Sequence, residues 1–408
     1  MTNRLYYTDP YLQAFDATVT AVDRVGDRTV VALDRTAFYP TSGGQPYDTG
    51  TLGALRVVDV FDRDDGSIAH VVEGVLPQPG QQVRGEIDWP RRFDHMQQHT
   101  GQHVLSAAFE HLFRVRTVSF HLGADVSTID LARETTAAEI EAAEREANRV
   151  VWEDRPVTIR FASAEEAASL PLRKEPKREG TLRLIDVERF DLSACGGTHV
   201  ARTGAIGIIA VAAWERFKGG ERVEFLCGGR ALDRFGSLRD AVAASVRLLS
   251  VLPQELPGSI ERLQLEVKEQ RRSSSALQLE LAAYRADELA AAAAIIHQSP
   301  GLADEHPARL VVRAIDADAG VLKALAMAVV AKDGYIAVLT STTRPAVVVV
   351  ARSADVTVSS HQVLAKLIAQ FGGRGGGKAE LAQGGGLDAQ PDTILAAVRE
   401  ALTSSTRQ

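Results

Sequence analysis

The chain of 408 residues is poor in cysteine, with only Cys195 and Cys227. Disulfide bonds therefore cannot supply its stability, and a cysteine that matters is more often a metal ligand or a nucleophile. We interpret Cys227 as a small core residue. Long apolar runs are also missing, and Asn3, Arg4 and Asp9 interrupt the place where a signal peptide needs its apolar core. The sequence thus predicts a cytoplasmic protein with no membrane segment.

The sequence also has no excess of positively charged residues. Lys and Arg number 46 against 53 Asp and Glu, which gives a formal net charge of −7. This balance argues against a general nucleic-acid coat protein but leaves room for local basic patches. One patch lies just before the motif that contains Cys195. It consists of Arg173, Lys174, Lys177, Arg178 and Arg183. The alternative interpretation of this patch is a solvated charged loop.

The hydrophobic pattern changes three times along the chain. Short alternating runs between Gly, Pro and Asp clusters first predict a small β-barrel or sandwich. Helical and strand-like segments follow and predict an α+β domain. A heptad-like stripe, almost free of Gly and Pro after Pro257, then predicts a helical or coiled-coil connector, and a final compact α/β domain closes the chain. The predicted class is α+β, in four domains: 1–88, 89–230, 231–300 and 301–408.

Two short motifs together offer four metal ligands. His99 and His103 lie four residues apart in a segment of helical periodicity, so both imidazoles project from one face. The motif Cys195-Gly-Gly-Thr-His199 adds a thiolate and an imidazole around a flexible turn. Nitrogen and sulfur ligands in tetrahedral number favour zinc over magnesium or calcium, which prefer oxygen. We therefore predict a Zn²⁺ site formed by His99, His103, Cys195 and His199.

The two ligand pairs are far apart in the sequence, whereas zinc fingers draw their ligands from one short stretch. This separation favours an active site. A structural zinc stays open as the alternative, because four protein ligands leave no obvious position for a water molecule. His95, one turn before His99, could replace a ligand, orient one or contact substrate, and we favour the last two roles.

Both metal motifs and three further stretches resemble one family. Residues 38–46 (FYPTSGGQP) resemble its glycine-rich motif, residues 118–123 resemble one of its strands, and residues 371–386 resemble the glycine-rich end of its C-terminal domain. The metal motifs resemble the editing domain of alanyl-tRNA synthetases and its free-standing relatives, the AlaX alanyl-tRNA editing proteins, and all five motifs occur in the order expected for this family. With a connector and a C-terminal domain, the chain is similar to the long form of these editors, and residues 89–230 correspond to the zinc-dependent editing domain.

The resemblance implies a hydrolase that uses zinc to remove serine, or glycine, from mischarged alanine tRNA. Because no aminoacylation module precedes Tyr6, we expect the chain to edit tRNA but not to charge it. Thr41 is the candidate for reading the serine hydroxyl, and an ordinary turn threonine is its alternative. Gln102 and His121 are candidates for positioning the attacking water or the ester.

The resemblance also implies contacts with the tRNA body. The basic patch from Arg173 to Arg183 is the candidate for the acceptor stem, and Arg374 and Lys378 for phosphates near the C-terminal domain, which could also mediate a homodimer. The run from Gly372 to Lys378 fits the first positions of a phosphate-binding loop. Ala379 then replaces the Ser or Thr that such a loop needs for magnesium, so ATP binding is disfavoured.

Three other functions compete with this one. The first is removal of serine from threonine tRNA, since threonyl-tRNA synthetase editing domains share the metal motifs. The second is a tRNA-binding or assembly factor with a structural zinc, which would bind without turnover. A zinc peptidase is disfavoured, because no Glu lies between His99 and His103 to act as a base.

Overall fold

A computed structural model describes residues 1–173, 180–296 and 308–404. The chain divides into two compact units, Met1–Leu248 and Leu249–Gln408. The mixed α+β class and the N-terminal barrel are confirmed. The finer division into four domains stays a prediction.

The first unit begins with a closed barrel in the strand order β2-β3-β7-β6-β5-β8. Alternate residues of β8 face the barrel core, where Gly85 leaves room for the Phe15 ring, since a Cβ there would lie 2.4 Å from it. A short parallel pair, β1 with β4, lies beside it. The strands are β1 (Asn3–Arg4), β2 (Ala14–Val25), β3 (Arg28–Leu33), β4 (Arg35–Thr36), β5 (Gly50–Leu52), β6 (Leu55–Asp62), β7 (Ile68–Glu73) and β8 (Gln82–Ile87).

The rest of the first unit packs two helices, α1 and α2, on a four-stranded antiparallel sheet of order β14-β15-β10-β9. A second antiparallel sheet, β11-β12-β13, carries the segment that leads to Cys195. The elements are α1 (Trp89–Phe113), β9 (Thr117–Leu122), β10 (Ser127–Leu131), α2 (Ala137–Trp152), β11 (Val157–Ala162), α3 (Ala164–Ala168), β12 (Leu182–Val187), β13 (Asp191–Ala194), β14 (Ile209–Phe217), β15 (Gly220–Cys227) and α4 (Gly228–Leu249).

Helix α1 is set in place at both ends and by one buried ion pair. The Asp88 side chain accepts a hydrogen bond from the Arg91 amide at its N-terminus, and Arg114 ends it in the left-handed conformation. Near its start, Arg92 is fully buried and pairs with the equally buried Asp48, which follows the glycine-rich segment of the barrel. Arg92 also donates to the carbonyl oxygens of Pro10 and Ala37. The barrel therefore fixes the start of the helix that carries His99 and His103.

The second unit is a six-stranded mixed sheet, β16-β17-β18-β19-β21-β20, with helices on both faces. Helices α7 and α8 cover one face, and α6 with the alanine-rich end of α5 covers the other. No helix in the described residues is long and apolar enough to cross a membrane. The elements are α5 (Leu256–Ala291), β16 (Ala294–Ile296), β17 (Ala308–Ile315), α6 (Ala319–Val330), β18 (Tyr335–Ser341), β19 (Ala346–Arg352), α7 (Ser360–Phe371), β20 (Arg374–Gly377), β21 (Leu381–Leu387) and α8 (Pro391–Ser404).

The glycine run at the end of α7 forms strand β20, which pairs with β21 as an antiparallel hairpin. A phosphate-binding loop instead leads into a helix, whose N-terminus holds the anion. The geometry here agrees with the sequence argument against a nucleotide site. Arg374 and Lys378 are both exposed on this hairpin.

Candidate metal centre

The four predicted ligands meet in the first unit. His99 and His103 lie one turn apart on α1, and Cys195 and His199 lie in the loop that follows β13. One ligand atom from each of the four residues lies within 4.8 Å of all the others. The Cys195 Sγ is 3.3 Å from Nε2 of His99 and 3.3 Å from Nε2 of His199. The three histidines are buried, and Cys195 is half-buried.

Glycine at position 197 is what lets the loop approach the helix. A Cβ on Gly197 would lie 2.1 Å from Cε1 of His99, so any larger residue would push the two ligand segments apart. On its other side the loop is held by the buried Arg183, whose guanidinium donates to the carbonyl oxygens of Cys195 and Gly197. The Cys-Gly-Gly-Thr-His segment is thus held between α1 and β12.

Each histidine has a hydrogen-bond partner on the ring nitrogen that faces away from the sulfur. Nδ1 of His99 lies 2.8 Å from Oε1 of Gln45, and Nδ1 of His103 lies 2.9 Å from the Asp191 carboxylate. Nδ1 of His199 lies 3.2 Å from the Thr100 hydroxyl, which donates its own proton to the Met96 carbonyl. We assign the proton of each imidazole to Nδ1 on these acceptors. In the neutral form of each imidazole, the Nε2 lone pair is then available to a metal ion, as in known sites whose ligands are oriented by outer partners.

The charges of the cluster suit a cation. Burial opposes ionisation of the Cys195 thiol, but the surrounding histidine side chains, including His103, outweigh it and hold the pKa of this thiol well below the usual value. Burial lowers the pKa of His199 to about 3, which keeps this imidazole neutral. Against the effect of burial, Asp191 and the thiolate raise the pKa of His103 to about 9. A metal ion that bound through His103 would therefore displace a proton.

The donor set fits zinc. Three imidazole nitrogens and one thiolate match the ligand types and the tetrahedral number that Zn²⁺ prefers, and the cluster contains no carboxylate oxygen of the kind magnesium or calcium requires. Oriented Nδ1 groups around all three histidines are a second feature typical of a metal site.

Comparison with known proteins matches the chain to three families. Residues 10–91, which include the six barrel strands, match the family described as tRNA synthetases class II (A). Residues 182–224, which include Cys195 and His199, match the threonyl and alanyl tRNA synthetase second additional domain. Residues 308–404 match the DHHA1 domain.

One relative matches from end to end. The alanyl-tRNA editing protein AlaX-L of Pyrococcus horikoshii is 32% identical, and the alignment covers 99% of each chain. The chain belongs to the AlaX-L family of alanyl-tRNA editing proteins. Alanine–tRNA ligases of Pyrococcus abyssi and Natronomonas pharaonis are 34% and 36% identical, but the chain spans only 42% and 44% of their lengths. The solved C-Ala domain of Aquifex aeolicus alanyl-tRNA synthetase covers 26% of the chain and is itself covered over 94%, at 24% identity and a TM-score of 0.22, too low to support a fold argument.

Two arginines that the sequence placed in the tRNA-binding patch of this AlaX-L family member are engaged elsewhere. Arg173 donates through Nε to Asp191 at 2.5 Å, the same carboxylate that holds His103. Arg183 is only 8% exposed and binds the carbonyl oxygens of Tyr7, Cys195 and Gly197. Both guanidinium groups therefore hold segments that carry or contact the candidate ligands. The other patch residues, Lys174, Lys177 and Arg178, lie outside the described residues.

The three residues predicted to act on the substrate have different surroundings. Thr41 is exposed and lines a hollow on the barrel with Val30 and Phe61. Gln102 is buried, donates to the Ser106 hydroxyl, and its Oε1 has no hydrogen-bond partner among the described residues. His121 is exposed on β9.

A neighbour of His121, rather than His121 itself, approaches the cluster. The Phe120 ring packs against His99 with 5.7 Å between ring centroids. Because successive side chains of a strand point to opposite faces, His121 is directed away from the face that meets His99.

Sequence reasoning missed three residues that hold the histidines: Gln45, Thr100 and Asp191. Gln45 was within reach, because it lies in the glycine-rich motif in which Thr41 was singled out. His95 is buried and its Nδ1 has no partner in the described structure. It is not among the residues whose ligand atoms converge, which agrees with the preference for a role other than metal binding.

Proposed function

We propose that this protein is a free-standing editing hydrolase that clears serine, or glycine, from mischarged alanine tRNA. The observation that carries the proposal is the convergence of His99, His103, Cys195 and His199, with their Nε2 and Sγ atoms turned towards one point. Membership of the AlaX-L family supplies the substrate class, since the relative's name states that it edits alanyl-tRNA.

The reaction is hydrolysis of the ester between the amino acid and the 3′-terminal ribose. A water oxygen bonds to the ester carbonyl carbon, the bond from that carbon to the ribose oxygen breaks, and the ribose oxygen takes up a proton. Zinc bound at the cluster would supply a Lewis acid and a template for the aminoacyl group. The chain's own part is to hold the three imidazoles rigidly, through Gln45, Thr100 and Asp191, so that little reorganisation is needed on binding.

Physical limits on recognition explain why such an enzyme is needed. A synthetase pocket that accepts alanine cannot strongly reject glycine, which lacks a methyl group, or serine, which adds a hydroxyl. Discrimination of this size is on the order of 10–200-fold. A second site that hydrolyses the wrong product corrects the remainder.

For tRNA binding we propose Lys174, Lys177 and Arg178 at the acceptor stem and Arg374 and Lys378 at the tRNA body. The last two are exposed on the β20–β21 hairpin, where glycines let the backbone approach phosphates closely. We leave Arg173 and Arg183 out of this proposal, because Arg173 is paired with Asp191 and the buried Arg183 donates through Nε and one terminal nitrogen to backbone carbonyls.

We also propose a homodimer through the C-terminal region. The heptad-like stripe of α5 is solvent-exposed in the second unit, and it includes Ile260, Leu263, Leu277 and Tyr284. Exposed apolar residues at this spacing are typical of helices that pair with another helix. We also retain, as a proposal, the division of the chain into the four domains predicted from the sequence.

Deacylation assays with a panel of charged tRNAs test the proposed function. We expect rapid release of serine from alanine tRNA, release of glycine from it, and sparing of alanine. Serine on threonine tRNA should be hydrolysed much more slowly. Faster hydrolysis of serine from threonine tRNA would show that the proposed substrate is wrong. Binding of tRNA without turnover would show that the protein is a binding factor and not an enzyme.

A further inference from the structure

Gln45 is the one side chain of the barrel that hydrogen-bonds to both ligand-bearing segments in the described structure. Its Oε1 lies 2.8 Å from Nδ1 of His99 on α1 and accepts from the Thr198 amide at 3.1 Å. Its Nε2 donates to the Thr198 hydroxyl at 2.8 Å. Thr198 stands between the ligands Cys195 and His199 in sequence. A single buried amide therefore ties the helix ligand to the loop ligands.

The glycine-rich motif directs Gln45 into this position. Ser42 and Gln45 exchange backbone hydrogen bonds around Gly43 and Gly44, which both adopt positive φ, at 54° and 83°. Positive φ at two successive central residues defines a tight turn that glycine adopts without steric cost. A Cβ on Gly44 would also lie 2.8 Å from the Phe120 ring, which itself packs on His99. The turn thus fixes the Gln45 side chain against the metal ligands.

This geometry has a consequence for binding. An imidazole whose Nδ1 proton has a fixed acceptor is held in one tautomer and one orientation, and loss of such a partner costs about 10–100-fold in metal affinity in known sites. The acceptor for His99 comes from the barrel, whereas the four ligands come from α1 and the loop after β13. Barrel residues therefore bias the geometry of a site to which they contribute no ligand.

We propose that Gln45 is a positioning residue that joins the two ligand segments, so that the metal affinity of the cluster depends on the glycine-rich turn of the barrel. The proposal rests on the proposed metal centre. It assigns a function to this turn that does not require contact with the amino acid being removed.

Three variants separate this role from a general loss of stability. Gln45→Met keeps the size of the side chain but removes the acceptor for His99. Gln45→Glu keeps an oxygen acceptor for His99 and for the Thr198 amide, and the Thr198 hydroxyl can rotate to donate to it. Asn148→Leu is the matched control, because Asn148 is also a buried amide that bridges a backbone N–H and carbonyl, those of Ile209.

The measurement is the zinc dissociation constant of each full-length variant by competition with a chelator, together with the visible absorption spectrum of the cobalt-substituted protein. We expect Gln45→Met to bind zinc about 10–100-fold more weakly and to shift the cobalt spectrum. Gln45→Glu should keep the zinc affinity and the cobalt spectrum of the wild type. Asn148→Leu should also leave the zinc affinity and the spectrum unchanged. Wild-type affinity and spectrum in Gln45→Met would overturn the inference while leaving the metal centre intact, whereas absence of metal binding by the wild type would overturn the metal centre itself.

Discussion

The carboxylate of Asp191 accepts a hydrogen bond from Nδ1 of His103 at 2.9 Å. The same carboxylate binds Nε of Arg173 at 2.5 Å and the hydroxyl of Ser193. Arg173 and His103 hold the pKa of Asp191 below its usual range although burial acts to raise it. Arg173, Asp191 and the imidazole of the candidate ligand His103 are therefore linked by hydrogen bonds, and we propose that Arg173 helps to position this imidazole.

Substitutions of Arg173 and of the neighbouring basic residues should have different effects on the salt dependence of tRNA binding. Arg173→Met should weaken zinc affinity, because Asp191 loses the arginine that holds it against His103. The same variant should leave the salt dependence of tRNA affinity unchanged. The double variant Lys177→Ala, Arg178→Ala should reduce the salt slope by about 1 for each phosphate that is no longer neutralised, and should leave zinc affinity unchanged. A flatter slope in Arg173→Met would return this residue to the tRNA interface.

Removing one partner of the Arg92–Asp48 pair should strongly destabilise the first unit. Both side chains are fully buried, so Asp48→Asn leaves a buried guanidinium without its counter-charge. We expect the free energy of unfolding to fall by about 3–5 kcal/mol. Urea denaturation followed by tryptophan fluorescence measures it, since Trp89, Trp152 and Trp214 all lie within residues 1–248.

An exposed ion pair in the same unit provides the control for that experiment. Glu141 and Arg145 pair across one turn of α2 with both side chains 68% exposed. Glu141→Gln should cost less than about 0.5 kcal/mol. Equal losses in the two variants would show that the burial of Arg92 and Asp48 does not matter.

Buried His70 should make the barrel sensitive to acid. Burial lowers its pKa from 6.5 to about 4, and its ring is held neutral between the Val31 carbonyl and the Thr36 hydroxyl. Between these two pH values the unfolded chain binds a proton that the folded chain does not. Stability is therefore lost as pH falls through this window, by about 3 kcal/mol in all, with no effect above it.

The variant His70→Gln isolates this effect, because every other histidine stays in place. Unfolding free energies measured from pH 7 to pH 4 should fall about 3 kcal/mol less in the variant than in the wild type. Parallel curves would mean that His70 is protonated in the folded barrel.

Thr41 keeps its predicted role as reader of the serine hydroxyl until it is tested. Thr41→Val removes the hydroxyl at nearly constant volume, so release of serine from alanine tRNA should slow far more than release of glycine. Thr41 is exposed and lines a hollow beside Val30 and Phe61, so the substitution should leave zinc content unchanged. Equal slowing with both amino acids, or none, would contradict the assignment.

Local sequence patterns predicted the features of the structure that are set by residues close together in the sequence. Four-residue spacing predicted that His99 and His103 share a helix face, and alternation predicted the barrel strands. Composition also pointed to the ligand chemistry of Cys195 and His199. These features follow from the periodicity of helices and strands, and the structure contains them.

The partners of the ligands could not be read in the same way. Gln45 lies 54 residues from His99 and Asp191 lies 88 residues from His103, so only the folded chain brings them together. Charge counting also treated Arg173 and Arg183 as surface groups, because the sequence does not show which arginines are buried. Glycine-rich strand β20 was not marked as a strand, since glycine is a weak strand former.

Zinc content and serine deacylation, measured together on the wild type and on Cys195→Ala, test the central claim most directly. Cys227→Ala is the matched control, because it removes the buried cysteine that is not a ligand. We predict one equivalent of zinc and rapid release of serine from alanine tRNA for the wild type and the control. Cys195→Ala should lose the metal and slow by more than about 100-fold, beyond the loss of an outer partner. Undiminished deacylation by a metal-free Cys195→Ala protein would contradict the account.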